Sequence, residues 1–472
     1  MEGAEGRDAK ALDQVLLLLI IAFGAALRLP GLRESIWIDE AATWLQTRDL
    51  SIVRTIVLTA SDTYPPLHNL LTLPFLALFG QGEVAYRLPA VVFGVLSIPA
   101  VYWLGMLSGG RRVGLLAAVL MALAPFAIYY SQEARMYALL LLTSSLYVAA
   151  VIAWLSQPSP RLALAVIGSG AAMLYSHPYG FFALASVGLG GLIVLILDRA
   201  EWRRVMVFVL LGVAVLATYL PWLLTTLQTA QHLVDKGFWI KRPDSSDAFQ
   251  YLLSLAGGPL GLGLLLAGFV LALRPTRVAR VSEEPPGSTG AIIVLSCLAF
   301  GPLLMGYVVS QITTPVLVAR YLICSLPALI VLAAMGYARL GSSMPRLILQ
   351  VALIGGLMVP AVAQIDYPRH TEDWRSLARH LKTTMAPDDC LVMAVPFLIG
   401  SLRYYGMQTP ECFFNSLEEA AKSVDSNRWL IAIVSHYSGG VDGAQAALPG
   451  SWSTPVRFGN AISVIVRQPA AP

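Results

Sequence analysis

The chain reads as an all-α polytopic membrane protein with a small α/β domain at its C-terminal end. Three observations carry that expectation. Of 472 residues, 57% are hydrophobic and only 13% are charged, whereas a soluble globular protein carries about 25% charge. Apolar runs recur along residues 13–364, most of them near the roughly 20 residues that a spanning helix needs. After about residue 365 the pattern changes to an amphipathic helix and short apolar strands. The net charge of +4 is small and points away from nucleic acid. Cys297, Cys324, Cys390 and Cys412 form no close-spaced pair and no metal motif.

About eleven apolar runs are expected to span: 13–31, 87–107, 113–130, 136–155, 161–176, 180–197, 205–224, 251–273, 291–310, 317–337 and 347–364. The first has no small-residue cleavage site after it and reads as a retained anchor. Basic residues set the orientation. Arg7 and Lys10, Arg111 and Arg112, Arg161, Arg199, Arg203 and Arg204, Arg274, Arg277 and Arg280, and Arg339 and Arg346 occupy alternate connections. The N-terminus is then cytoplasmic and the C-terminus outside. Residues 32–86 face outward and are too long for a simple connection. They hold a polar helix-like piece, Asp39 to Thr59, and an apolar piece, Leu70 to Phe79, too short to span and expected along the interface.

Residues 365–472 are expected to form a soluble extracytoplasmic domain, with residues 1–364 as the transmembrane domain. A helix over 371–385, beginning at Thr371 with Glu372 and Asp373 in its first turn, leads it. Strands Asp389 to Val395, Trp429 to Val434 and Ala461 to Val466 follow, with a helix from Leu417 to Val424. Cys390 and Cys412 lie in the oxidising compartment, which permits a disulfide.

Polar groups that can carry chemistry gather on the outer side. Asp39 and Glu40 follow the first run in Trp37-Ile38-Asp39-Glu40. Acids also favour helix starts for their dipole alone. The loop Tyr130-Ser131-Gln132-Glu133-Ala134-Arg135-Met136-Tyr137 places Glu133 and Arg135 at a helix mouth, where charges are costly unless paired or hydrated. An interfacial ion pair accounts for Glu133 and Arg135 too, and an aromatic belt is the more ordinary account of Tyr130 and Tyr137. Arg320 sits near the outer end of an apolar run. It either snorkels to headgroups or offers its planar fork to a phosphate. His68 and His177 fall on the same side without metal spacing. Pro65-Pro66 restricts the backbone between Tyr64 and His68. Trp374-Arg375 suits an interface anchor.

Trp37-Ile38-Asp39-Glu40, Tyr64-Pro65-Pro66-Leu67-His68, Ser131 to Tyr137, Ala319-Arg320-Tyr321 and Asp373-Trp374-Arg375 occur in that order. Together they resemble bacterial family 39-type glycosyltransferases of the GT-C superfamily, relatives of the protein O-mannosyltransferases and the lipid A aminoarabinose transferases. The resemblance covers roughly residues 13–380. It implies a GT-C fold and a hexosyl- or pentosyltransferase dependent on a dolichyl- or undecaprenyl-phosphate sugar. The reaction inverts the anomeric carbon at the outer face of the plasma membrane.

The resemblance makes Asp39 the general base and Glu133 its partner in positioning donor or acceptor, with Glu40 counted among the catalytic carboxylates. Arg320 and Arg135 are the groups for the donor phosphate, and Tyr64, His68, Tyr137 and His177 line the substrate pocket. No cofactor follows from the residues, and a divalent metal stays open because the family varies. The acceptor, a glycan, lipid or protein, is not legible. Alternatives are a polytopic transporter, a lipid-linked oligosaccharide ligase or polymerase, and an assembly subunit binding through residues 365–472.

Overall fold

The structure, a computed structural model, describes residues 2–62, 64–236, 240–274, 288–340, 343–366, 372–393, 398–423, 429–435, 440–448 and 450–467. It divides into two compact units. One comprises Met1–Pro30, Asp49–Gly80 and Ala85–Tyr367; the other comprises Gly31–Arg48, Gln81–Val84 and Pro368–Pro472.

The first unit is helical, and the protein is a multi-pass membrane protein. Among the described residues, six helices are long and apolar enough to cross a bilayer, or up to eight if two bent pairs each count as one span. The bent pairs are Trp202–Thr218 with Leu220–Gln228, at 57°, and Ser245–Leu255 with Pro259–Leu273, at 86°. Each of the eleven apolar runs falls on helix, but several of those helices are shorter than a full span. At the centre, Leu326 to Tyr337 is buried on every side. Its close neighbour Pro259–Leu273 approaches at glycine: a Cβ on Gly336 would run into the Gly268 carbonyl oxygen. Helices pack this closely in lipid because small residues let their backbones meet.

Two short helices show polarity turned inside out. Ile52–Thr59 buries Thr55 and Thr59 and exposes Ile52, Val53 and Val57. Leu67–Phe79 buries His68, Asn69 and Thr72 beside Leu73 and Leu76 and exposes Leu78 and Phe79. Asn69 Nδ2 donates to Thr59 Oγ1 at 2.9 Å, joining the two polar faces. Outward-facing apolar side chains suit a lipid surface, and 13 residues of helix reach only about 20 Å, short of a span.

The polar piece expected as one helix from Asp39 to Thr59 is two helices, Ile38–Thr47 and Ile52–Thr59. Leu50, with φ of 53°, turns the chain between them, and Ser51 caps the second by accepting from the Arg54 amide. The break also separates the units, since Arg48 ends a segment of the second and Asp49 begins one of the first.

The second unit is an α/β fold around a five-stranded sheet. Its strands are β1 (Cys390–Met393), β2 (Phe413–Phe414), β3 (Leu430–Ser435), β4 (Val456–Phe458) and β5 (Ile462–Arg467). Their order is β2-β1-β3-β5-β4, with β1 parallel to β2 and β3, and β5 antiparallel to β3 and β4. Cys390 and Cys412 form a disulfide. The leading helix is Trp374–Thr384, not 371–385. Asp373 has non-helical backbone and caps the helix by accepting from the Ser376 amide at 3.0 Å, so Glu372 precedes the helix. Thr371, Val395, Val424, Arg277 and Arg280 lie outside the described residues. Trp374, Leu377, Ala378 and Leu381 share one face and pack into the core with Leu391, Ile433 and Ile38. Trp374 is completely buried, so it is a core residue of this unit and not the interface anchor that its place after the last apolar run suggests.

Candidate functional site

In the first unit the candidate residues come from helix mouths and the loops between them. The loop before Tyr137 is held by Arg28, which is fully buried just past the helix Glu2–Ala26. Arg28 donates to the carbonyls of Gly24 at 2.8 Å, Ala122 at 3.1 Å and Met121 at 3.2 Å, and through Nε to Ser131 Oγ at 3.2 Å. Gln132 Nε2 donates to the carbonyls of Leu27 and Pro30. The chain carrying Glu133 and Arg135 is thereby tied to the end of the first helix. Glu133 and Arg135 are both buried, and the Arg135 amide donates to the Glu133 carbonyl at 2.7 Å.

Tyr64, Tyr137, His177, Arg135 and Arg320 form one cluster. The Arg135 guanidinium lies 4.8 Å from the Tyr64 ring centre. Arg320 lies 5.6 Å from Tyr137 and 5.8 Å from Tyr321. The Tyr64 and Tyr321 hydroxyls are hydrogen-bonded at 2.8 Å. The His177 ring packs 4.5 Å from Tyr321, 5.1 Å from Tyr64 and 5.9 Å from Tyr137. Tyr137 is fully buried, which removes the aromatic-belt reading for it. Arg320 is half-buried and set against aromatic faces, where a planar guanidinium stacks as an ammonium does not.

Burial disfavours the charged form of His68 and His177. The Tyr179 amide donates to His177 Nδ1 at 3.0 Å, which puts the ring proton on Nε2. Burial, and then the charges of Arg320 and Arg135, hold the His177 pKa well below its ordinary value. Burial and then Arg135 push His68 down to about 3. Both rings can therefore donate or accept a hydrogen bond without adding charge. Tyr321 enters the sequence pattern only as part of Ala319-Arg320-Tyr321, without a role of its own, and Tyr179, 5.4 Å from it, does not enter it. Both sit in aromatic-apolar stretches that read as membrane surface.

Asp39 and Glu40 belong to the second unit. Glu40 is completely buried, and its Oε2 accepts from the Trp37 amide at 3.3 Å, which satisfies a donor at the start of helix Ile38–Thr47. Asp39 is half-buried on the same turn. The helix start is also gripped by Glu372, whose Oε2 accepts from the Ile38 amide and from Trp374 Nε1. The turn before it is held by Tyr405 Oη, which accepts from the Ile36 amide at 2.7 Å. Among the described residues no group of three His, Cys, Asp or Glu side chains is placed to hold a metal ion.

Residues 63–224 match the family model described as dolichyl-phosphate-mannose-protein mannosyltransferase. No curated protein sequence matches the chain. The fold is similar to that of ArnT from Cupriavidus metallidurans, both in the apo state and bound to undecaprenyl phosphate. The TM-score is 0.66 at 15% identity, over 97% of this chain and 98% of that one. It is also similar to the oligosaccharyltransferase AglB from Archaeoglobus fulgidus in complex with an inhibitory peptide and a dolichol-phosphate. There the TM-score is 0.57 at 10% identity, over 93% of this chain and 71% of that one. The arabinofuranosyltransferase AftD from Mycobacteria is matched at TM-score 0.53 and 13% identity, over 97% of this chain and 41% of that one. The fold is thus of the GT-C type expected from the sequence.

The lowered histidine pKa values make stability pH-dependent. Below about pH 6.5 the unfolded chain takes up protons that folded His68 and His177 refuse. Stability falls as pH falls, by at most about 1.4 kcal/mol per pH unit for each ring. The melting temperature of the solubilised protein should drop between pH 7 and 5, and less steeply in His68→Asn and His177→Asn. An unchanged slope in both variants would contradict the buried, neutral assignment.

Proposed function

We propose that this chain is a membrane glycosyltransferase. It moves a sugar from a polyprenyl-phosphate-linked donor to a hydroxyl acceptor at the outer face of the plasma membrane, inverting the anomeric carbon. One observation carries the reading: Arg135 and Arg320 lie against a single cluster of Tyr64, Tyr137, His177 and Tyr321. A donor that leaves as a lipid phosphate needs its developing charge stabilised, and guanidinium forks match phosphate oxygens. The fold likeness to ArnT bound to undecaprenyl phosphate supports a ligand of that class.

Asp39 is the general base. An attacking hydroxyl must lose a proton, and a carboxylate within reach takes it. Glu40 accepts from the Trp37 amide and holds the turn that carries Asp39. Glu133 positions donor or acceptor, and His68 lines the pocket with Tyr64, Tyr137 and His177. The N-terminus is cytoplasmic and residues 365–472 are an extracytoplasmic domain. The Cys390–Cys412 disulfide fits that side, because such bonds persist in oxidising compartments.

Purified protein should transfer radiolabelled sugar from a polyprenyl-phosphate donor, which a transporter or an assembly subunit would not do. Arg320→Lys keeps the charge but loses the bidentate fork; turnover should fall on the order of 10-fold or more. A Lys variant that binds donor and turns over like wild type would reduce Arg320 to an interfacial anchor. For the orientation, an impermeant thiol reagent applied from outside should label Asp62→Cys and spare Arg112→Cys. The reverse pattern would invert the topology and remove the outer-face reaction.

A further inference from the structure

Helix Ile38–Thr47 begins without the usual cap. Its N-cap residue is Trp37, which has no side-chain oxygen to accept the first amides. Two buried carboxylates do this instead. Glu40 takes the Trp37 amide from within the helix. Glu372 takes the Ile38 amide at 3.4 Å from 334 residues away, and the same oxygen accepts the Trp374 indole N–H at 2.7 Å. The residues that follow hold the incoming turn. The Arg375 amide donates to Ser35 Oγ at 3.2 Å, and Arg375 Nη2 donates to the Arg33 carbonyl at 2.7 Å and to Glu83 Oε1 at 2.8 Å. Tyr405 joins Ser35, the Ile36 amide and Glu83. The chain is thus fixed at residues 33, 35, 36 and 38, immediately before Asp39.

We propose that Glu372 is a positioning residue for Asp39: its contacts with the Ile38 amide and the Trp374 indole set where the base stands. The inference rests on Asp39 being the base. Such a role differs from mere stabilisation of the fold. A positioning residue alters turnover through the group it places, and a misplacement of about 1 Å can cost on the order of 100-fold. Trp374 is the second half of the device, since its buried ring fixes the indole N–H that orients the Glu372 carboxylate.

The test is a double-mutant cycle on the full-length protein in detergent, with radiolabelled polyprenyl-phosphate sugar as donor. Glu372→Ala should lower kcat by roughly 10- to 100-fold and leave the donor KM within about twofold of wild type, because Arg135 and Arg320, proposed for the donor phosphate, belong to the other unit. In the Asp39→Asn background the same substitution should cost less than about twofold, since no base remains to be misplaced. Trp374→Phe, which keeps an aromatic ring and removes the N–H, should show a smaller kcat loss with the same unchanged KM. It also serves if Glu372→Ala fails to fold. An equal loss in both backgrounds, or a folded Glu372→Ala enzyme with wild-type kcat, would overturn the positioning role alone. Wild-type turnover by Asp39→Asn itself would overturn the base assignment and this inference with it.

Discussion

A charge withdrawn from water persists only where hydrogen bonds replace its hydration, and in a chain this apolar that constraint decides where chemistry can be built. Arg28 meets it with three carbonyls and the Ser131 hydroxyl. Glu372 meets it with a helix amide and an indole. Neither is in the middle of a helix. Each stands at a helix end, where backbone groups lack intrahelical partners, and each holds a loop in place. Arg28 holds the turn before Glu133 and Arg135. Glu372 holds the turn before Asp39. The polar groups with proposed roles are thus carried by backbone that a buried charge has immobilised.

Much of this was legible because charged and aromatic residues stand out against apolar runs. Glu133, Arg135, Tyr137, His177 and Arg320 all border such runs, and the structure gathers Arg135, Tyr137, His177 and Arg320 with Tyr64 around one cluster. A role for Tyr321 or Tyr179 was not legible, since an aromatic in an apolar stretch has the same signature whether it faces lipid or a site. Glu372, Tyr405 and Glu83 were hidden for another reason. Their partners lie hundreds of residues away, and no local pattern reports such contacts. In the C-terminal unit β1, β3 and β5, of four, six and six residues, overlap the strands expected over Asp389 to Val395, Trp429 to Val434 and Ala461 to Val466. β2 and β4 have two and three residues, too short for periodicity to register. Trp374 was misplaced because a Trp just past an apolar run belongs equally to a membrane interface and to the core of the next unit.

The transporter reading draws on the two sharply bent helix pairs, since transporters often build sites from broken helices near mid-membrane. Here the cationic-aromatic cluster is assembled instead from residues at or beside helix ends: Tyr64 before Leu67–Phe79, Tyr137 opening Tyr137–Ser156, His177 closing Pro160–Ser176 and Arg320 before Leu326–Ala338. That placement suits a ligand whose head group stays at the membrane face while its tail remains in lipid. A lipid-linked oligosaccharide ligase would use the same donor chemistry and differ in the acceptor.

Direct displacement of the lipid phosphate by a base-activated hydroxyl has a stereochemical consequence that no rearrangement of side-chain roles can alter. One displacement at the anomeric carbon inverts it; two, through a glycosyl-enzyme intermediate, restore it. The purified protein can be given a polyprenyl-phosphate sugar of known anomeric configuration, with its hydroxyl acceptor or methanol as a surrogate. Nuclear magnetic resonance of the glycoside then reads the product configuration. The account predicts inversion, and a product that retains the donor's configuration would contradict it.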